Sequence, residues 1–178
     1  MRIPFPNILL LAGTGRNVGK TAFAEQIIHK TAAEMPVWGL KISNHYHPGE
    51  VPALRIQEEH VLTSHKDSSR MLRAGAEKVF YIQAQDADLP QLMIDFLTQL
   101  PADIAVVCEA GGLISFIEPS LFLLIHSPDV PTSDEKMSRY ANYHPLRVDF
   151  AAGRFSLNPH QIHFLEGSWR VLSGNNRG

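Results

Sequence analysis

The chain has 178 residues, of which 44% are hydrophobic and 19% charged, and 16 Lys and Arg against 18 Asp and Glu give a formal net charge of −2. This length and apolar fraction exclude a disordered chain, and a single cysteine excludes a disulfide scaffold. The near-neutral charge gives no general attraction to nucleic acid, and no segment approaches the roughly 20 apolar residues that cross a bilayer. We expect one soluble domain over residues 1–178, in a reducing cytoplasm where Cys108 is a buried, inert thiol.

Short apolar runs alternate with helical patterns, which is typical of βαβ units and a parallel sheet covered on both faces. Five runs predict buried strands: residues 8–12, 37–42, 79–82, 104–108 and 121–125. Apolar residues at helical spacing predict three helices: residues 20–34, 67–74 and 89–100. The polar residues 43–65 predict a long loop with a short helix at 54–59. Beyond residue 126, only three segments have a strand pattern: residues 147–150, 162–165 and 169–172.

The most informative motif is GTGRNVGKT at residues 13–21, between the first predicted strand and the first predicted helix. We call it the glycine loop. Its glycines let backbone N–H groups converge on a phosphate, and the following helix adds the positive end of its dipole. Lys20 and Thr21 take the positions of the Lys that neutralises phosphate oxygens and the hydroxyl that ligates Mg²⁺. The alternative is a glycine-rich turn with a solvated Lys.

The spacing of the glycine loop departs from the standard phosphate-binding motif. Five residues, rather than four, separate Gly13 from Gly19, and strict register aligns Thr14 with the first Gly of G-x-x-x-x-G-K-[ST]. Arg16 within the loop either contacts phosphate, acts as an arginine finger across a dimer, or is simply solvated. The predicted nucleotide-binding residues are Gly13, Thr14, Gly15, Arg16, Asn17, Val18, Gly19, Lys20, Thr21 and Lys41.

Charged residues at three predicted element ends extend this site. Glu109 ends a buried strand at the carboxyl edge of the sheet, where it either holds Mg²⁺ or caps the next turn. Asp67 is either a helix N-cap or a ligand of a second metal or of a water next to phosphate. A Lys such as Lys41 is unusual in a protein core. The alternative is that Lys41 faces the nucleotide or a substrate anion. The predicted metal ligands are Thr21, Glu109 and Asp67, and the predicted catalytic residues are Lys20 and Asp67.

Two further groups of polar residues carry weaker patterns. His45 and His47 lack the spacing of a strong metal motif, so a polar surface loop is favoured over a metal site. The guanine-reading N-K-x-D pattern is absent, and residues 127–129 are a candidate for the base pocket by position alone. The residues themselves therefore leave the choice between guanine and adenine open.

Two resemblances to known families follow from these motifs. The glycine loop has the G-T-x-x-x-V-G-K-T form of dethiobiotin synthetases. The segments WGLKI at 38–42, NHYH at 44–47, KDS at 66–68 and RAGA at 73–76 are similar to the molybdopterin-guanine dinucleotide biosynthesis adaptor family, MobB. That resemblance covers residues 7–83, with departures at residues 43–47 and at His65. A further departure, EAGG at 109–112, is more similar to dethiobiotin synthetase.

The adaptor resemblance implies binding of GTP rather than ATP, Mg²⁺, a homodimer and assistance to the enzyme that attaches GMP to molybdopterin. With the strand pattern, it predicts a P-loop NTPase fold, a three-layer αβα sandwich with a mostly parallel sheet. The core is expected over about residues 7–126, with a C-terminal extension over about 127–178. Two alternatives remain. One is an ATP-dependent carboxylate-activating ligase that resembles dethiobiotin synthetase, and the other is a non-catalytic metal-binding module built on the histidine loop.

Overall fold

Strands and helices alternate through most of the chain. The computed structural model describes residues 1–43, 55–84, 89–132 and 134–172. The strands are β1 (Ile3–Gly13), β2 (Val37–Ser43), β3 (Arg55–Glu58), β4 (Lys78–Gln83), β5 (Ala105–Glu109), β6 (Ile117–His126), β7 (Leu146–Ala151), β8 (Arg154–Phe155), β9 (Ile162–Leu165) and β10 (Ser168–Val171). The helices are α1 (Lys20–Ala32), α2 (Asp67–Arg73), α3 (Leu89–Leu97) and α4 (Asp134–Ala141), and the 3-10 turns are η1 (Gly111–Ser115) and η2 (Pro159–Gln161).

Eight strands form one mixed sheet in the order β3-β4-β2-β5-β1-β6-β7-β8. The inner strands β4, β2, β5, β1, β6 and β7 pair in parallel, and the edge strands β3 and β8 pair antiparallel. Strands β9 and β10 form a separate antiparallel hairpin. The predicted α/β class and the mostly parallel sheet are confirmed.

Strand β1 is buried on both faces, which explains its near-continuous apolar run. Leu9 and Leu11 pack in one apolar layer with residues of α1 and α2. Ile8 and Leu10 point to the other face and pack with residues of α3 and α4. The sheet therefore lies between two packed layers. In the described ranges α1 is the longest helix, with 13 residues, and none of their helices combines the length and apolarity of a membrane span.

The parallel strands bring their carboxyl ends to one edge of the sheet. Leu11 of β1 and Lys41 of β2 both pair with Glu109 of β5. On the other side of β1, Gly13 pairs with Ile125 of β6. The residues that follow β1, β2 and β5 therefore meet in one crevice, the position where open α/β sheets bind ligands.

Several predicted elements differ in type or in bounds from those of the structure. The short helix predicted over residues 54–59 is instead strand β3 at Arg55–Glu58, because the open edge of β4 offers hydrogen bonds that outweigh a local helix preference. Residue 54 itself lies outside the described residues. Strand β1 begins at Ile3, earlier than predicted, since Pro4 and Pro6 interrupt the apolar strand pattern; the register with β6 shifts between Phe5 and Leu9.

The segment after residue 126 packs against the rest of the sheet. Strand β7 extends the sheet beside β6, and the predicted strand at residues 147–150 lies within it. The other two predicted strands form the β9–β10 hairpin, where Trp169 is 1% exposed. The indole Nε1 of Trp169 donates a hydrogen bond to the carbonyl of Asn7 at 2.9 Å. This hairpin therefore covers the layer that contains α1 and the side chains of Leu9 and Leu11 of β1.

Candidate functional site

The glycine loop leads directly into the N-terminus of α1. Its backbone is left-handed at Asn17, with φ of 57°, and at Gly19, with φ of 96°. Gly19 is the N-cap residue of α1 and has no side chain with which to cap it. The first N–H groups of a helix need acceptors from outside the helix, and an anion at this position supplies them. The loop therefore has the backbone form of an anion site.

Lys20 folds back across the glycine loop. Its Nζ donates a hydrogen bond to the carbonyl of Gly15 at 3.0 Å. A Cβ added at Gly13 would lie 2.7 Å from Cδ and 2.8 Å from Nζ of Lys20. Gly13 is therefore the glycine over which Lys20 passes. Thr14, which strict register aligns with the first Gly of the motif, is instead fully buried, and its Oγ1 lies 3.1 Å from Nδ1 of His126.

Four polar side chains from four elements meet beside this loop: Thr21 of α1, Lys41 of β2, Asp67 of α2 and Glu109 of β5. We call them the Lys41 cluster. Oγ1 of Thr21 donates to Oε2 of Glu109 at 2.9 Å. Nζ of Lys41 lies 2.6 Å from Oε1 of Glu109 and 2.7 Å from Oδ2 of Asp67. The side chain of Glu109 is 3% exposed, that of Lys41 18% and that of Asp67 35%. The structure thus brings together all three predicted metal ligands.

Opposite charges decide the ionisation of the Lys41 cluster. Burial lowers the pKa of Lys41, but the carboxylates of Glu109 and Asp67 outweigh it and raise that pKa above its ordinary value. Burial also raises the pKa of Asp67, but the hydrogen bond and the charge of Lys41, together with the nearby Arg70, outweigh it, so the pKa lies below its usual value. Lys41 and Asp67 are therefore both charged at neutral pH.

An ion pair between α1 and α2 supports the cluster. Nε and Nη2 of Arg70 donate to the two carboxylate oxygens of Glu25 at 3.0 and 2.6 Å. Such a bidentate pair fixes the plane of the guanidinium group, and Nη1 lies 3.9 Å from Oδ1 of Asp67. Lys66, not Asp67, is the N-cap residue of α2, so the N-cap alternative for Asp67 is wrong. Glu25 was not among the predicted residues, although it lies one helical turn after Thr21 and so shares its face of α1.

The glycine loop and the Lys41 cluster line one cleft of about 590 Å³. It is also lined by residues that were not predicted to belong to the site, among them Ser43, Leu89, Arg139 and Tyr140. A Cβ added at Gly111 would collide with the hydroxyl of Tyr140, so α4 packs closely on the turn that follows Glu109. The sequence carries no signal for Arg139 and Tyr140, because α4 is distant along the chain and reaches the cleft only through the fold.

The charge of the cleft differs from that of the whole chain. Of the residues that the structure describes, two carboxylates line it, those of Asp67 and Glu109, against five cationic side chains: Arg16, Lys20, Lys41, Arg70 and Arg139. This excess of three positive charges stands in a chain with a net charge of −2. A concave site with one dominant sign of charge concentrates ligands of the opposite sign. The cleft therefore favours an anionic ligand.

Several predicted residues do not line the cleft. The side chain of Val18 is buried in the layer of α1, and Gly15 packs close to Val130. Ser127, from the candidate base pocket, is buried and lies outside this cleft. His45 and His47 lie outside the described residues. Cys108 is fully buried, as predicted, and burial raises the pKa of its thiol.

Comparison of the chain with protein-family models, with curated protein sequences and with solved structures finds no significant match. The two family resemblances therefore stay predictions.

Proposed function

We propose that this cleft binds a nucleoside triphosphate with Mg²⁺, GTP in preference to ATP, and that the fold is a P-loop NTPase sandwich of three layers. One observation carries the proposal: Thr21 donates to the buried Glu109 at 2.9 Å directly beside Lys20 and the uncapped start of α1. A phosphate chain placed there meets backbone N–H groups and an ammonium group. The preference for GTP depends only on the resemblance of residues 38–47 and 66–76.

The donor atoms beside the glycine loop fit Mg²⁺. This cation prefers hard oxygen ligands and commonly takes one or two carboxylates from the protein, together with waters and substrate phosphates. The Thr21 hydroxyl and the Glu109 carboxylate are adjacent oxygen donors, and Asp67 supplies a second carboxylate. The described residues hold no group of three or more His, Cys, Asp or Glu side chains that could form an all-protein metal site. Bound Mg²⁺ would neutralise charge on the phosphates.

The side chains of the cleft also suit slow hydrolysis of the proposed nucleotide. Lys20 and the loop N–H groups stabilise the charge that develops on the phosphate oxygens. Asp67 accepts a hydrogen bond from the attacking water and so orients it. Because its pKa is lowered, Asp67 stays anionic at neutral pH and is a weak general base. We therefore expect turnover to be slow, with the site acting mainly in binding.

Isothermal titration with GTP and with ATP in the presence of Mg²⁺ tests the nucleotide site. We expect Lys20→Ala to weaken binding by about tenfold or more, because one charge-assisted contact to phosphate is lost. Lys78→Ala is the matched control, since Lys78 lies over the ring of Trp38 at the other end of the parallel strands. Binding of neither nucleotide, or equal binding by wild type and Lys20→Ala, contradicts the proposal.

The cellular role that we propose is that of a homodimeric accessory to the enzyme that attaches GMP to molybdopterin. It depends on the resemblance of residues 38–47 and 66–76 and on the proposed nucleotide site. A carboxylate-activating ligase is the second candidate, because the cleft continues past the glycine loop to Gly111, Gly112 and Arg139. Stimulation of ATP turnover by a small carboxylate would favour the ligase, and stimulation of the GMP-attaching enzyme by this chain with GTP would favour the accessory.

A further inference from the structure

Both carboxylate oxygens of Glu109 already have partners within the chain. Oε1 accepts from Lys41 at 2.6 Å and Oε2 accepts from Thr21 at 2.9 Å. The same Lys41 ammonium lies 2.7 Å from Asp67. Lys41 therefore lies between the two carboxylates that would share a metal ion. Its ammonium group supplies positive charge that the metal ion would otherwise supply.

We propose that Lys41 is an internal counter-cation that makes metal binding depend on the nucleotide. Without nucleotide, its ammonium holds Asp67 and Glu109 together and repels a divalent cation. When a phosphate enters the cleft, it attracts the ammonium and leaves the carboxylates open to the metal. This inference rests on the proposed nucleotide site and concerns the regulation of that site.

Burial is the reason why Glu109 needs a cation in every state. With 3% of its side chain exposed, water cannot solvate the carboxylate, and a buried charge without a partner is strongly destabilising. Lys41 meets that need with one positive charge and leaves the cluster with a net formal charge of −1. A divalent cation at the same carboxylates would lie within a few ångströms of the ammonium, where like charges repel strongly because screening is weak.

The position of Lys41 also lets it reach a phosphate. Its side chain lines the same cleft as Lys20 and the first residues of α1. A Lys ammonium has three N–H donors on a flexible stem, and the two carboxylates use two of them. The third donor has no partner among the residues that the structure describes, and a phosphate oxygen can accept from it. The Lys41 ammonium therefore moves toward the phosphate by rotation of its side chain, without a change in the backbone.

The experiment measures Mn²⁺ binding to nucleotide-free protein by electron paramagnetic resonance, in which only free Mn²⁺ gives the sharp signal. Lys41→Gln removes the charge and keeps an N–H donor for Glu109. We expect it to bind Mn²⁺ about tenfold or more tightly than wild type, because the repulsion is removed. Lys41→Arg keeps the charge and is expected to bind as weakly as wild type, and Lys78→Gln is the control for loss of a distant Lys.

Two outcomes overturn the inference. One is equal Mn²⁺ affinity of wild type and Lys41→Gln without nucleotide. The other, which remains decisive if Lys41→Gln does not fold, is equal Mn²⁺ affinity of wild type with and without bound GTP after correction for Mn²⁺ held by free GTP. Calorimetry with GTP is run in parallel. If GTP does not bind, the proposed nucleotide site fails, whereas GTP binding without a Lys41 effect contradicts this inference alone.

Discussion

At the scale of single residues, Gly13 decides whether the glycine loop can take its form. The side chain of Lys20 passes so close to Gly13 that a Cβ there would lie 2.7 Å from Cδ of Lys20 and 2.9 Å from Cγ2 of Val18. Val18 is fully buried and cannot move freely. Because the loop has one extra residue, two different positions meet two requirements. Lys20 passes close to Gly13, and Thr14 makes a partly buried hydrogen bond with His126.

Gly13→Ala is expected to weaken nucleotide binding by about tenfold or more, since the new methyl group displaces the ammonium of Lys20 from the loop. Calorimetry with GTP and Mg²⁺ measures the change. Gly153→Ala is the control, because Gly153 has φ of 73° and open space around it. It should cost about 1 kcal/mol of stability through backbone strain and leave binding unchanged. A Gly13→Ala protein that binds like wild type would show that the loop can adjust.

At the scale of elements, helix α2 depends on the segment before it. The helix has seven residues and is too short to be stable alone. Glu59 accepts hydrogen bonds from Oγ of Ser68 at 2.7 Å and from the N–H of Val61 at 2.9 Å. Arg73 donates to the carbonyls of Leu62 and Ser64, both at 2.6 Å. These bonds hold the segment against α2 and so keep Asp67 in the cleft.

Glu59→Gln is expected to lower the free energy of unfolding by about 1 kcal/mol at pH 7, through loss of a partly exposed charge-assisted hydrogen bond. Burial raises the pKa of Glu59, but the bonds from Ser68 and Val61 outweigh it, so the folded pKa lies below the unfolded value of about 4.3. The stabilisation is therefore complete above that unfolded value and is lost as pH falls through the folded pKa.

Urea unfolding at pH 7, 5 and 3 measures this difference between wild type and Glu59→Gln. The gap should shrink at the lowest pH. Glu58→Gln is the control, since it removes the same formal charge from the neighbouring residue. A gap of equal size at every pH would mean that Glu59 acts through packing and not through its charge.

At the scale of the whole molecule, the C-terminal segment completes the layer that supports α1. Lys30 of α1 donates to the carbonyl of Ile162 in β9 at 2.7 Å. The N–H of Trp169 donates to Oγ of Ser120 at 2.8 Å, and its indole donates to Asn7. Phe155 of β8 packs edge-on against Phe23 of α1, with ring centroids 4.6 Å apart. Residues near the end of the chain thus pack against α1, the helix that begins at the glycine loop.

Trp169→Ala is expected to lower the free energy of unfolding by about 3–5 kcal/mol, the usual cost of truncating a buried large aromatic residue. Urea unfolding followed by far-UV circular dichroism measures this loss of stability. This signal is used because the substitution itself changes tryptophan fluorescence. The other tryptophan of the chain provides the control, because Trp38 is only half-buried and its indole donates to Glu77 at the surface. Equal losses in Trp38→Ala and Trp169→Ala would contradict a supporting role for the hairpin.

The unit of β1, glycine loop and α1 could be predicted because its pattern is local. An apolar run, a glycine cluster and helical spacing follow one another in the chain, and each is a short-range preference. The position of Glu109 in the crevice beside the glycine loop could be predicted too, because parallel strands bring their carboxyl ends to the same edge. Strand β3 could not be predicted, since its hydrogen bonds come from the open edge of β4 and not from its own residues.

The sequence by itself determined the α/β class, the glycine loop and the acidic and basic residues at the strand ends, because strand and helix periodicity and turn chemistry are encoded locally. Only the tertiary structure decided how these side chains pair. It placed Lys41 between Asp67 and Glu109, joined Arg70 to Glu25, and brought Arg139 and Tyr140 to the cleft. The physical reason is that ion pairs and cleft walls depend on distances between residues far apart in the chain, which no local pattern contains.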